Sequence, residues 1–100
     1  MARPFTPSPL YPAALAHRDA LAAGLEVASA RLRSVPGVGT GRMGLTPDHV
    51  KATATYQNAK RSYDHWFALV RDFNGTFVRT FKRELAADRA AARAVKMASL

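Results

Sequence analysis

Arg79, Lys82, Arg83, Arg89, Arg93 and Lys96 recur at helical spacing towards the C-terminal end of the chain, with Glu84 and Asp88 as the only acids between them. Wound into a helix, the six cations fall on roughly one side. Guanidinium and ammonium groups arrayed in this way can lie along phosphates, releasing counterions and binding without sequence preference. The competing use is solubility alone, with Arg79 and Lys82 neutralised by Glu84, and Arg89 by Asp88. Phosphate contact makes DNA or RNA, bound non-specifically, the first expected partner.

A second array is apolar. Tyr56, Ala59, Tyr63, Trp66, Val70, Phe73, Phe77, Phe81 and Leu85 follow one another by three or four residues throughout. At about 3.6 residues per turn this spacing draws a single stripe some eight turns long. Seven of the nine aromatic residues lie between positions 56 and 85, so the rest of the chain has little apolar bulk to cover them. Phe67, Asn74, Val78 and Phe81 widen the stripe on one side. Aromatics at this spacing are first a core surface; left open, they stack bases or receive a partner helix. Each large aromatic left in water forfeits on the order of 2 kcal/mol. Tyr63, Trp66, Val70, Phe73, Phe77 and Phe81 are therefore expected to face a second copy or another protein, unless the chain turns back at Gly75.

The histidines suggest no reaction. His17, His49 and His65 are far apart in sequence, and neither a His-Glu-x-x-His pattern nor facing carboxylates occur. Asp64 and His65 share a helical stretch, but adjacent residues diverge by about 100° around the axis. No catalytic residue, metal ligand, cofactor or small-molecule substrate is expected. The protein reads as non-enzymatic.

Composition sets the class. Fifteen Lys and Arg against seven Asp and Glu give a formal charge of +8, so polyanions are plausible partners. A hydrophobic fraction of 48% is globular rather than disordered, although much of it is alanine. No cysteine is present, which excludes disulfides and zinc-thiolate sites. No run approaches the roughly 18 apolar residues of a membrane span, and no apolar segment follows the N-terminal charge as in a signal peptide. A soluble, cytoplasmic protein with no membrane role is expected.

The elements that must position these residues are helical. Residues 1–11 form a Pro-rich arm, with Pro4, Pro7 and Pro9 removing backbone donors. A helix over 12–35 presents Leu21, Leu25, Ala28, Leu32 and Val35 as one seam, weakened by Gly24 at about 1 kcal/mol relative to alanine. Four of the six glycines lie between Pro36 and Leu45 and mark a loop. Thr46-Pro47-Asp48 then supplies a cap, a first-turn proline and an acid for a second helix. That helix is expected to run over 47–98 as one long helix, with a kink or break at 74–76 as the alternative, and to fray towards Leu100. The fold class is thus all-α. A short N-terminal helix folds back on a long C-terminal one within a single helical domain (12–100), or three helices form a bundle if Gly75 turns the chain.

Leu32-Arg33-Ser34-Val35-Pro36-Gly37-Val38-Gly39 resembles the hairpin of helix-hairpin-helix DNA-binding modules. That resemblance implies backbone amides offered to a phosphate. It covers these eight residues and then ends, because Gly41, Gly44 and Pro47 delay the next helix. In size and hairpin outline the chain is also similar to the small secreted proteins with a Trp-x-Gly turn. Its own Gly-rich turn contains no tryptophan, and Trp66 falls in mid-helix. The resulting expectation is an oligomeric, basic helical protein that contacts nucleic-acid phosphates through its C-terminal helix. The alternative is a protein–protein interaction module, with Trp66, Phe73 and Phe77 as anchors and no nucleic-acid role.

Overall fold

The computed structural model describes residues 5–99, and these are helical with no strand. Helix α1 spans Tyr11–Arg33, α2 Asp48–Lys51, α3 Ala54–Thr80 and α4 Lys82–Ala98, with one 3₁₀ turn at Arg42–Gly44. The first four residues of the expected arm and Leu100 lie outside the described residues. The molecule is a long, thin slab of 66 × 33 × 16 Å. Its radius of gyration is 19.8 Å, against about 13 Å for a compact domain of this length.

Helix α1 lies along α3, with its N-terminal end beside the α3–α4 junction and its C-terminal end beside α2. Two apolar clusters mark the ends of the pair. One joins Tyr11 to Phe77 and Phe81, with Ala14, Leu15, Phe73 and Leu85 packed around them. The other joins Val35, Val50 and Ala59, flanked by Leu32, Val38 and Tyr56. Between them small residues let the helices approach. Ala28 is buried, and the Trp66 ring lies directly against Gly24.

Several boundaries differ from the sequence expectation. Tyr11, assigned to the arm, opens α1 and is buried. The Ser8 carbonyl accepts from its N–H at 3.1 Å, while the Ser8 hydroxyl accepts from Leu10 N–H at 3.2 Å. Thr46 does not cap the second helix; its Oγ1 accepts from Gly39 N–H at 3.2 Å and ties the loop closed. After one turn of α2 the chain restarts at Thr53, whose hydroxyl accepts from Tyr56 N–H at 3.2 Å as a cap for α3.

The alternative of a break at 74–76 does not occur: α3 runs through Gly75. Gly75 lies inside α3, where a Cβ would meet nothing within 4 Å. Glycine costs about 1 kcal/mol there, but a turn would carry Phe77 and Phe81 off α1, and their burial outweighs it. The helix instead departs from ideal geometry at Phe81 (φ −112°, ψ 35°). The i to i−4 bonds continue through it, with Phe81 N–H to the Phe77 carbonyl and Leu85 N–H to the Phe81 carbonyl each at 2.9 Å. The departure falls where the Phe81 ring meets Tyr11 at 5.4 Å and Phe77 at 5.3 Å between centroids.

Candidate polyanion interface

The six C-terminal cations are all exposed and are carried by the end of α3 and by α4. At about 100° per residue they fall within about 140° of arc, on the side of the helix away from α1. That orientation follows from the seam: Phe77, Phe81, Glu84 and Leu85 are held against α1, so residues on the far side must face water. Alanine supplies most of the remaining positions and favours the helix by propensity.

The two acids of this segment are turned the other way. Glu84 is 8% exposed, and its Oε2 has no hydrogen-bond partner. Asp88 accepts from the Tyr11 hydroxyl through Oδ2 at 2.5 Å. Neither pairs with a neighbouring cation. Among the described residues the ion pairs are Arg18–Asp19, Glu26–Arg33, Lys60–Asp64 and Arg71–Asp72, all outside the C-terminal segment. The neutralised arrangement of Arg79, Lys82 and Arg89 with Glu84 and Asp88 is therefore absent among these residues, and the outer face carries one sign of charge.

Tyr11 couples the two helices electrostatically as well as by packing. Its hydrogen bond to Asp88, then burial, then the Asp88 charge raise the phenol above its ordinary value of 10.0. Folding thus favours the protonated phenol. The resulting stability is complete below about pH 10 and is lost as pH rises through the raised folded value. Tyr11→Phe should be less stable than the parent at pH 8, with the gap closing above about pH 10. Thermal unfolding of both proteins across that range checks this; a gap independent of pH would refute it.

The aromatic stripe is covered within the chain to a greater degree than its composition suggests. Phe77 and Phe81 are buried. Phe77 stacks on Tyr11 and Phe73, with centroids 6.1 and 5.6 Å away, and the Arg18 guanidinium lies 5.2 Å above it. His17 meets Phe73 edge-on at 4.8 Å. Tyr63, Trp66, Val70 and Phe73 are half-buried. Burial of Phe77 and Phe81 therefore needs neither a turn at Gly75 nor a second chain, because Tyr11 and the N-terminal half of α1 supply the cover. What stays open is the flank: Phe67 is 47% and Val78 51% exposed, and Phe67 stacks on Tyr63 at 6.0 Å.

The loop does not offer a phosphate cradle of the helix-hairpin-helix kind. Most of its amides are spent internally: Val38 N–H on the Val35 carbonyl, Thr40 on Gly37, Gly41 on Leu45 and Gly44 on Gly41, at 2.7–3.3 Å. Gly39 donates to Thr46. The next helix, α2, has only four residues.

Among the described residues no group of three or more His, Cys, Asp or Glu is placed to hold a metal ion, and no helix is long and apolar enough to cross a membrane. Sequence reasoning located the cations from their spacing. It missed Tyr11 and the inward turn of the acids, for which only the i, i+4 step from Glu84 to Asp88 gave a signal. No protein-family model, no curated protein and no solved structure matches the chain.

Proposed function

We propose that this is a small, non-enzymatic, helical protein that associates with nucleic-acid phosphates through the outer face of α4 and the end of α3. The observation that carries the reading is the separation of charge. Arg79, Lys82, Arg83, Arg89, Arg93 and Lys96 face water, while Glu84 is buried and Asp88 is engaged by Tyr11. A solubilising helix has no need to segregate its acids from its bases. A surface that meets a polyanion gains from it, since each cation can release a counterion without first breaking an internal pair. Residues 86–98 are all exposed, so contact costs little rearrangement of the fold.

The test is salt dependence. If all six cations meet phosphates, the logarithm of the binding constant for duplex DNA should fall against the logarithm of salt with a slope of about −5, at about 0.9 per contact. Replacing Arg83, Arg89 and Arg93 with glutamine should reduce the slope to about −3 and weaken binding several-fold at low salt, with helicity unchanged. Unchanged affinity in the triple variant would reject the reading.

A second reading rests on the open flank of α3. Phe67 and Val78, beside Tyr63 and Val70, leave apolar surface that a second copy or another protein could cover, making the protein an oligomer or an interaction module. Light scattering of the nuclease-treated protein separates the two readings. A single stable oligomer with no affinity for nucleic acid supports the second alone.

A further inference from the structure

We infer that the outer face of α4 is shaped for the major groove of B-form duplex DNA; this deepens the phosphate-contacting role proposed above and rests on it. Helix α1 backs the C-terminal segment only as far as the Tyr11–Asp88 bond, and every residue from Arg89 to Ala98 is exposed. Over those ten residues a single helix about 15 Å long stands free of the slab. The body of the fold, with α1 packed along α3, is two helices across and too broad for a groove about 12 Å wide. A lone helix about 10–12 Å across is not.

The side chains of α4 match that groove in cross-section. Taking about 100° per residue, Lys82, Arg89, Arg93 and Lys96 lie within about 60° of arc, and Arg83 lies about 100° round from Lys82. Ala86 and Ala90 fall between those two edges. The face is therefore an apolar strip, Ala86 and Ala90 with the exposed Met97 at its C-terminal end, bordered by long cationic side chains that reach out to phosphates while the two alanines let the backbone sink towards the base edges. Alanine methyls suit thymine methyls, and Arg83 and Arg93, one at each edge of the strip, stand near enough to donate to guanine. No Asn or Gln occurs in α4, so the helix reads shape and charge more than sequence.

Other nucleic acids fit less well. The major groove of A-form RNA is deep and narrow and excludes a helix. Single strands are held by aromatic platforms, whereas seven of the nine aromatic rings lie along α3 and its junction with α4, Phe5 and Tyr11 lie at the N-terminal end, and none is carried by α4.

The experiment compares three end-labelled probes at one salt concentration: a DNA duplex of about two helical turns, the RNA duplex of the same sequence, and one of the DNA strands alone. The DNA duplex should bind about tenfold more tightly than either of the others. Ala90→Phe, which fills the strip, should remove most of that advantage and leave single-strand binding unchanged. Val95→Phe, at an exposed position about 160° round from the middle of the strip, should leave all three affinities as they were. Equal affinity for the three probes, or an Ala90→Phe variant that keeps its duplex preference, overturns the groove assignment while leaving phosphate contact standing. Absence of binding to all three at low salt removes both. Circular dichroism of each variant confirms that α4 remains helical.

Discussion

Phe77→Ala should lower stability by about 3–5 kcal/mol, more than the truncation of any other side chain in the fold. Phe77 is 3% exposed and touches Tyr11, Phe73, Phe81 and the Arg18 guanidinium, so its removal opens a cavity that no neighbour can fill without leaving its own contacts. Native domains are stable by only about 5–15 kcal/mol, and this one is elongated, with few alternative contacts. Urea titration should show a large fall in midpoint with little change in slope. A loss under about 1 kcal/mol would mean that the ring cluster does not hold α1 to α3.

The two helical glycines should respond in opposite directions. A Cβ at Gly24 would lie 2.4–2.7 Å from three atoms of the Trp66 ring, closer than atoms can approach. Leucine there must displace the indole or part the helices, so Gly24→Leu should cost about 2–3 kcal/mol, even though it removes the low helix propensity of glycine. Gly75 meets nothing, and Gly75→Ala should stabilise by about 0.5–1 kcal/mol. For a chain of this length each kcal/mol moves the melting temperature by about 4–8 °C, so calorimetry separates the signs readily. Combining Gly24→Leu with Trp66→Ala should cost less than the sum of the two single changes, because the leucine then occupies space the indole has left. Simple additivity would show that the two residues are not in contact.

What the sequence makes legible is whatever depends on local steps. The aromatic period from Tyr56 to Phe81 gives α3 and its inward face, and the spacing of Arg79 to Lys96 gives a one-sided cationic surface. The glycines between Gly37 and Gly44 give the loop. Features that arise from pairing are not legible in this way. Tyr11 sits among prolines and reads as part of an arm; only when α1 lies along α3 does it become the ring that completes the cluster of Phe77 and Phe81. Gly24 reads as a defect in a helix until Trp66 is seen to occupy the space above it. Gly75 and Phe81 show the converse. The residue with the weaker helical preference stays helical because nothing presses on it, while the stronger one departs from helical angles where two other rings crowd it. The same limit applies to the cationic face. Spacing places six positive groups on one side, but whether Glu84 and Asp88 neutralise them depends on which way the acids turn. That direction is set by packing against α1.

The placement of Trp66 gives the molecule an optical gauge of its own. It is the sole tryptophan in the chain, and its ring rests on the α1 backbone at Gly24, midway between the two apolar clusters. Its emission therefore records the closure of α1 on α3 without any attached dye. Separation of the helices would wet the indole and shift its spectrum to the red, while events confined to the free end of α4 would leave the colour of the emission unaltered.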